Sequence, residues 1–577
     1  MIKWILTFLF ASLTVALMLF KLPFEFALPG MRDRIMVPEQ LLNNQDYLVY
    51  GCVIAASYCL IFLKGFKGVK NPVCVINGFK WDLNDFCRGW LITGKTGSGK
   101  TASAIQHILH QLFRRVTTEN NHKPFGGVAV DQKGNFFQII EDIAKNYDQS
   151  DRLITLQVRP DGAAEDWKAK YKFNLLSYPG IPSSTYSKII MDTAASLGQE
   201  SGGGSSFFTT QAKLHIEKGI DLLKIFTWIK EHPDSIKLES LLGRSKPLLD
   251  PEDPESEEDP SQKSDYEFYK TMPNFVSLRN LLRILTDKDM LGMQIGLLQM
   301  SLENEIFNDE KDQIKVNKMK ELILHFKAKF LDSPEDQLGG VIGTIYNTLG
   351  FFDSDEIEEV FCSETNTVEF EQVDEGIIFS VSMPQKFQSE RIYVNTIMKL
   401  IYYTHALGRF DRPDDLKSNN LLVFIADEAQ GVITASKDGM TDYTVIDKIR
   451  EARATVLFAT QSTTSFLPVM KKDQVDTLLL NLANQCHYTV PDKNSAEQTA
   501  DIIGKKEMTK KSHGNSGGKS SVNFQKVDEH IIKPHILRAM KKFECVLIHC
   551  ESGHKKFTLK PIAPNGKVPA YYSQIKR

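Results

Sequence analysis

An eight-residue segment with the pattern GxxxxGK[ST] limits what this chain can fold into more than any other feature. It reads Gly94-Lys95-Thr96-Gly97-Ser98-Gly99-Lys100-Thr101. A short apolar run, residues 89–93, precedes it, and apolar residues at helical spacing follow it. A strand, a glycine loop and a helix in this order bring backbone N–H groups and the positive end of a helix dipole together, which favours phosphate binding. The segment therefore predicts an α/β sheet with a nucleotide-binding loop.

The residue types in this loop match the chemistry of ATP with Mg²⁺. Backbone N–H groups are predicted to wrap the phosphates because glycines leave the loop free to curl around them. The predicted cofactor-binding residues are Gly94, Thr96, Gly97, Ser98, Gly99, Lys100 and Thr101. Lys100 is expected to reach the β- and γ-phosphates, and the Thr101 hydroxyl to complete the shell of the Mg²⁺ ion. ATP and Mg²⁺ are thus the predicted cofactors.

A second apolar run, residues 421–426, ends in Asp427 and Glu428. Six apolar residues predict a central parallel strand, and α/β sheets bind ligands at the carboxyl ends of such strands. Asp427 is predicted to hold Mg²⁺ through water, and Glu428 to act as the general base for the attacking water. The alternative is a buried strand that ends in two surface carboxylates. The phosphate-binding loop elsewhere in the chain argues against this alternative, because such a loop needs carboxylates nearby for Mg²⁺ and for water.

A third apolar run ends at Gln461, and Arg450 and Arg453 precede it. Gln461 is predicted to contact the γ-phosphate or the attacking water, although a plain strand-end glutamine is the alternative. Arg450 or Arg453 is predicted to reach the nucleotide of a neighbouring subunit as an arginine finger. Ion pairs with acidic residues on the same helix are an equally good explanation for these arginines. Residues 131–135 follow another apolar strand and fit a tight turn or an edge of the active site equally well.

Two low-complexity stretches predict loops. Residues 250–265 hold eight carboxylates and three prolines, which fits a solvated loop or a docking site for a basic partner. Residues 504–521 are basic and rich in glycine and serine. They fit a mobile surface loop or a contact to a nucleic-acid backbone.

The amino-terminal part contains two uncharged segments of 17 residues, 4–20 and 47–63. Each would reach about 26 Å as a helix, close to the thickness of a bilayer core, so the pair predicts a two-helix transmembrane anchor. A signal peptide is the alternative for the first segment, but a clean cleavage site is missing. Lysines after the second segment place both ends of the anchor in the cytoplasm.

Changes in pattern along the chain predict its organisation. Residues 1–70 are predicted as the anchor, 71–182 and 351–577 as two parts of a nucleotide-binding domain, and 183–350 as an all-α insertion. The net charge of −3 argues against a strongly basic nucleic-acid binder, but not against a motor whose basic groups face an internal channel. The eight cysteines are scattered, which argues against a zinc site or a disulfide framework.

Together these motifs resemble the type IV secretion coupling proteins, the TraG/TraD-like conjugation ATPases. The resemblance rests on the phosphate loop, the turn at 131–134, the element at 172–176 around Asn174, and the two strand ends. Gln132 and Leu175 depart from that pattern, since the family carries prolines there, and Asn135 replaces an expected acid. These departures suggest a divergent branch.

The resemblance implies a fold, an activity and partners. The fold would be a RecA-like P-loop ATPase domain interrupted by an all-α domain and preceded by the anchor. The protein would be a multi-pass homo-hexamer of the bacterial inner membrane, with most of the chain in the cytoplasm. Its partners would be single-stranded DNA with bound relaxase or effector proteins, and inner-membrane components of a type IV secretion system. Lys100, Glu428, Gln461 and Arg450 would be its catalytic residues.

Two other classes of motor share this core: FtsK/HerA-type translocases of double-stranded DNA and secretion-assembly ATPases. The former usually carry more membrane segments or a carboxyl-terminal winged-helix domain, for which the last twenty or so residues leave no room. The latter more often lack a two-helix anchor. A receptor that binds ATP mainly in order to assemble is a third possibility, which the intact Lys100, Glu428 and Gln461 disfavour.

Overall fold

The computed structural model describes residues 71–117, 123–134, 136–196, 206–231, 272–303, 313–416, 418–435, 440–516 and 519–575. The predicted anchor helices at 4–20 and 47–63 and the acidic stretch at 250–265 lie outside these ranges. Residues Val73–Arg577 form one compact unit.

Most of the strands assemble into one large sheet. In chain order the described strands are β1 (Cys74–Ile76), β2 (Phe79–Trp81), β3 (Trp90–Thr93), β4 (Gly126–Asp131), β5 (Leu153–Gln157), β6 (Ile378–Ser382), β7 (Leu422–Asp427), β8 (Ala454–Thr460), β9 (Asn484–His487), β10 (Lys505–Ser516), β11 (Lys519–His530), β12 (Glu544–His549) and β13 (Gly553–Thr558). The sheet order is β13-β12-β9-β3-β8-β7-β4-β6-β5. The strands from β9 to β5 are parallel, and β12 and β13 add an antiparallel edge.

Both faces of this sheet are covered, which explains the continuous apolar runs in the sequence. Successive residues of a strand point to opposite faces. In β7, Phe424 belongs to the core on one face and Ile425 to the core on the other. Strands β3, β4 and β8 are buried along their whole length. The predicted α/β class with a central parallel sheet is confirmed.

Helices alternate with the strands of the large sheet, and a further group of helices occupies the part of the chain between β5 and β6. They are α1 (Leu83–Phe86), α2 (Gln106–Thr117), α3 (Phe136–Asn146), α4 (Ser183–Ser196), α5 (Ser206–Glu231), α6 (Leu278–Thr286), α7 (Lys288–Glu303), α8 (Gln313–Phe326), α9 (Glu335–Leu349), α10 (Asp355–Phe361), α11 (Gln388–Gly408), α12 (Asp442–Ile449), α13 (Lys472–Asn481), α14 (Lys493–Ile503), α15 (Pro534–Arg538) and α16 (Tyr571–Ile575). Between β5 and β6 the described residues form helices and no strand. In this helical part α5 packs against α4, α6, α8 and α9. The exact boundaries of the predicted insertion stay a prediction.

The predicted localisation in the membrane is not supported by the helices that the structure describes. None of them is both long enough and apolar enough to cross a membrane. The longest described helix, α5, has 26 residues but carries Lys213, Asp221 and Lys224. This finding contradicts the prediction of a multi-pass inner-membrane protein.

The basic, Gly/Ser-rich segment predicted as a loop takes a regular structure instead. Strands β10 and β11, each of 12 residues, pair antiparallel with each other and form a two-stranded sheet of their own. Valine and phenylalanine in β11 favour a strand, whereas the glycines and serines of the tip concealed this preference. One strand of this hairpin, β10, therefore carries Lys505, Lys506, Lys510 and Lys511.

Candidate active site

A cleft of about 240 Å³ lies at the carboxyl ends of β3, β7 and β8. This is where parallel sheets offer backbone groups and helix ends to a ligand. Its lining residues are Thr96, Gly97, Gly99, Lys100, Thr101, Ala102, Lys133, Asp427, Glu428, Thr460, Gln461, Lys542, Phe543 and Tyr571. The structure thus brings most of the predicted site residues together, from segments more than 300 positions apart.

The phosphate loop has the backbone shape that its glycines permit. Gly97 has a φ of +75°, and a Cβ atom placed on it would meet nothing within 4 Å, so this side of the loop is open to a ligand. Gly99 has a φ of +114°, and a Cβ atom there would lie 2.4 Å from the ring of Phe543. The Ser98 hydroxyl is buried and has no hydrogen-bond partner among the described residues. An open loop with an unsatisfied polar group fits a phosphate-bearing ligand.

Lys100 lies inside the loop rather than in solvent. Its Nζ donates a hydrogen bond of 2.6 Å to the carbonyl oxygen of Gly94. Burial lowers the pKa of Lys100, while the nearby carboxylates of Asp427 and Glu428 oppose this effect. The ammonium group is therefore held by one weak acceptor, which phosphate oxygens can replace by charge-assisted bonds.

Thr101 and Asp427 meet across the cleft. The Thr101 hydroxyl donates a hydrogen bond of 2.8 Å to Oδ2 of Asp427. Burial raises the pKa of Asp427, and the hydroxyl of Thr101 and the charge of Lys100 oppose this rise. A hydroxyl and a carboxylate at this distance form a set of oxygen ligands of the kind that Mg²⁺ prefers. The residues therefore fit the predicted metal site.

Glu428 directly follows β7 and takes an unusual conformation. Its φ and ψ are 64° and 50°, in the left-handed region that non-glycine residues rarely adopt. Its Oε1 lies 3.0 Å from Nζ of Lys133. The hydrogen bond to Glu428 raises the pKa of Lys133, so this lysine stays charged. The structure thus places the predicted base beside Lys133 of the turn at 131–134, a residue to which the sequence analysis gave no role of its own.

The turn after β4 explains how Lys133 reaches the cleft. The Asp131 carboxylate accepts hydrogen bonds from the N–H groups of Gly134 and Phe136, at 3.0 and 3.2 Å. These bonds form a tight turn that leads into α3, and Lys133 stands on that turn beside β7. The segment is therefore both a turn and an edge of the candidate site.

Gln461 links the phosphate loop to β8. Its carbonyl oxygen accepts the N–H of Gly94 at 3.1 Å, and its exposed side chain lines the cleft. The preceding Thr460 donates to the side chain of Gln430 at 2.9 Å, and Gln430 lies two residues after Glu428. The ends of β7 and β8 are therefore directly connected at the cleft.

Arg450 does not reach the cleft of its own chain. It follows α12 and precedes β8, whereas the cleft lies at the other end of this strand, about 20 Å away. Arg453 takes a φ of +57° and donates to the carbonyl oxygen of Asn419 at 2.8 Å. Any contact of Arg450 with a nucleotide must therefore involve the cleft of another subunit, and the arginine-finger role stays a prediction.

Sequence reasoning missed one wall of the cleft. Lys542, Phe543 and Tyr571 line it, although they come from the segment before β12 and from α16. The N–H of Phe543 donates to the carbonyl oxygen of Ser98 at 3.0 Å. Neither a motif nor a spacing marks these residues, because the chain returns to the cleft only after the last parallel strand, β9, far from the phosphate loop in the sequence.

Comparison with known proteins gives one family match and several structural matches. Residues 422–542, which run from β7 to the edge of the cleft at Lys542, match the family described as the TraM recognition site of TraD and TraG. A search of curated proteins finds no match.

The solved structures that resemble this chain include the bacterial conjugative coupling protein TrwB. An unbound form, TrwBdeltaN70, matches with a TM-score of 0.51 at 12% identity, covering 86% of this chain and 91% of that one. TrwB with ADP and Mg²⁺ matches at 0.51 and 11% identity, covering 87% and 91%. TrwB with the ATP analogue ADPNP also matches at 0.51 and 11%, covering 86% and 92%.

At these identities the structural likeness concerns the fold, and the family match concerns residues 422–542. The two findings agree with each other and with the motifs, since the matched segment contains the Asp-Glu strand and the Gln461 strand end. The resemblance of this chain to the TraG/TraD-like coupling proteins is confirmed.

Proposed function

We propose that this chain is a Mg²⁺-dependent ATPase of a conjugative type IV secretion system, which assembles as a homo-hexamer and drives single-stranded DNA with bound relaxase. The observation that supports this most is the convergence of Lys100, Thr101, Asp427, Glu428 and Gln461 on one cleft. These five side chains are the set that ATP hydrolysis needs: a phosphate-binding cation, two oxygen ligands, a base and a polar sensor.

Each residue has a role that follows from its contacts. Lys100 leaves the Gly94 carbonyl oxygen and binds the β- and γ-phosphates. Thr101 and Asp427 would hold Mg²⁺, which when bound neutralises charge on the phosphates. Glu428 takes the proton of the attacking water, and Lys133 holds its carboxylate in place. Gln461, joined to the loop through the Gly94 N–H, responds to the loss of the γ-phosphate.

The hairpin of β10 and β11 supports single-stranded DNA as the substrate. Lys511 lies opposite Phe524 in the ladder, and its Nζ is 5.4 Å from the centre of that ring. Phe524 is 63% exposed. An exposed aromatic ring beside a lysine can stack on unpaired bases while the cation contacts the phosphate backbone.

The ATPase activity of the full chain, with and without single-stranded DNA, tests this proposal. We expect single-stranded DNA to stimulate turnover, Lys100→Ala to lose ATP binding and Glu428→Gln to bind ATP without hydrolysing it. Lys493→Ala is the matched control, because Lys493 is an exposed lysine paired only with Glu497. Turnover that both active-site variants retain would contradict the motor role.

The choice of nucleic acid separates the alternatives. Phe524→Ala is expected to reduce stimulation by single-stranded DNA, because the stacking surface is lost. Stimulation by double-stranded DNA instead would favour an FtsK/HerA-type translocase. Stimulation by an effector protein with no response to DNA would identify protein as the cargo.

A further inference from the structure

The residues that line the candidate active site form two groups on opposite sides of β3. Strands β8 and β7 lie on one side and end in Gln461, Asp427 and Glu428. Strands β9 and β12 lie on the other side, and Lys542 and Phe543 come just before β12. Since neighbouring strands are about 4.8 Å apart, the outer strand of each group is about 10 Å from β3.

This division gives a bound nucleotide a direction. The hydrolytic residues must face the terminal phosphate, so this phosphate points towards β8 and β7. The other end of the molecule then points towards the segment before β12. The wall formed by Lys542, Phe543 and Tyr571, here called the tail wall, lies at that end of the cleft.

The carboxyl-terminal segment is attached along the helix that follows the phosphate loop. The N–H of Ile562 donates to the carbonyl oxygen of Ala102 at 2.9 Å. The rings of His107 and His110 bond to the carbonyl oxygens of Lys560 and Ala563, at 2.9 and 3.0 Å. This attachment brings α16, with Tyr571 at its start, to the mouth of the cleft.

Within the tail wall, burial separates a supporting residue from two exposed ones. Phe543 is 1% exposed and packs on Gly99 and against the edge of Tyr572, with ring centres 5.6 Å apart. Tyr571 is 42% exposed. The Lys542 Nζ, also exposed, lies 5.3 Å from the ring centre of Phe543 and 5.8 Å from that of Tyr571. Phe543 therefore supports the wall, while Tyr571 and Lys542 face the cleft.

We propose that Tyr571 and Lys542 form the subsite for the nucleoside end of ATP. The ring of Tyr571 stacks on the purine, as exposed aromatic side chains do with bases. The ammonium of Lys542 donates to the acceptor nitrogens of the purine ring. Phe543 is a positioning residue, since it connects this wall to Ser98 and Gly99. The inference rests on the proposed binding of ATP at the phosphate loop.

Binding of ATP and of tripolyphosphate, each with Mg²⁺, to the full chain tests the inference. Tripolyphosphate has the phosphates but no nucleoside, so only ATP uses the tail wall. We expect Tyr571→Ala to weaken ATP binding roughly tenfold, within the range of one stacked base, and to leave tripolyphosphate binding unchanged. Tyr571→Phe is the matched control and should bind ATP like the original chain. Lys542→Met should weaken ATP binding alone, by a smaller factor.

Two results would overturn the inference in different ways. If Tyr571→Ala binds ATP as the original chain does, or weakens both ligands equally, the tail wall does not hold the nucleoside, while the proposed ATPase stands. If the original chain binds neither ATP nor tripolyphosphate, the proposed function itself fails. Comparison of the two ligands therefore separates the two failures.

Discussion

Glu428 combines a carboxylate at the cleft with a backbone conformation that residues with a side chain avoid. A non-glycine residue in the left-handed region costs about 1–2 kcal/mol. The short turn Ala429–Gly431 follows directly, so the strand must change direction at this residue. Such strain is found at functional sites, where the surrounding structure maintains it.

This strain predicts a difference between two variants that both lack the carboxylate. Glu428→Gly should be more stable than Glu428→Ala by about 1 kcal/mol, because glycine adopts a φ of +64° without a steric penalty. Both variants should lose hydrolysis. Chemical denaturation measures the free energy of unfolding of each, and equal values would show that the conformation carries no strain.

Lys133 provides a second prediction at this scale. Lys133→Met should lower kcat by at least about tenfold with a smaller effect on KM, because Glu428 loses the cation that holds it near the attacking water. Lys133→Arg should restore part of the activity. Steady-state kinetics distinguish the two variants, and a change confined to KM would mean that Lys133 serves binding instead.

The residues predicted from the sequence are those whose motif is local. A strand, a glycine loop and a helix are contiguous, so Lys100 and Thr101 could be predicted without knowing the rest of the fold. Residues 131–135, which include Lys133, could be predicted only as a turn or an edge of the site, and Tyr571 could not be predicted at all, since their positions depend on β4 lying beside β7 and on the return of the carboxyl-terminal segment. Long-range pairing of this kind leaves no periodic signal in a single sequence.

Among the elements, the segment around Asn174 joins the sheet region to the helical part. The Asn174 side chain donates to the carbonyl oxygens of Val276 and Ser363, at 2.5 and 3.2 Å. Its Oδ1 accepts the N–H of Leu176 at 3.0 Å. One buried amide therefore connects the segment after β5 with the start of α6 and the end of α10.

Asn174→Ala should destabilise the chain by about 1–3 kcal/mol, because it leaves two partly buried carbonyl oxygens without this donor. Asn174→Asp is the informative companion. It keeps the acceptor for Leu176 but replaces the donor with a carboxylate, so its loss of stability should be at least as large. An Asp variant as stable as the original chain would show that the two donated bonds contribute nothing.

Element types were predictable where the apolar pattern was strong, as in β7 and β8. The hairpin of β10 and β11 could not be predicted, because its tip has the composition of a loop and its strands pair only with each other. The order of strands in the sheet was also out of reach, since every parallel strand reads as a similar apolar run. A sequence pattern identifies strands better than it identifies their neighbours.

At the scale of the whole molecule, buried histidines couple stability to pH. His215 and His325 bond to each other at 3.0 Å, and burial lowers the pKa of each to about 4. In the unfolded chain histidine takes up a proton near pH 6.5. Between these values the unfolded state binds more protons, so stability falls as the pH drops from 6.5 towards 4.

His325→Gln should reduce this dependence, because glutamine can hydrogen-bond to His215 without titrating. We expect the melting temperature of the original chain to fall by several degrees between pH 7 and pH 5, and that of the variant to fall less. Thermal unfolding at both pH values measures the difference. Parallel curves for the two proteins would exclude a contribution from this pair.

The distance of Arg450 from its own cleft allows a test of the proposed ring. Arg450→Ala and Glu428→Gln should each be inactive alone, yet an equimolar mixture should recover activity at about a quarter of its interfaces, where an intact base meets an intact arginine. ATPase assays of premixed chains measure this recovery. If the mixture recovers no ATPase activity, Arg450 does not act between subunits.

The position of the helical part has a consequence for how such proteins diversify. The chain leaves the sheet after β5 and returns at β6, and these two strands are neighbours at one edge. The residues proposed for hydrolysis lie at the ends of β3, β7 and β8, further inside the sheet, so substitutions or insertions among the helices need not disturb them. Under the proposed function, the helices between β5 and β6 can therefore change while the ATP site stays the same, and replacing them with those of a related protein would test whether they select the substrate.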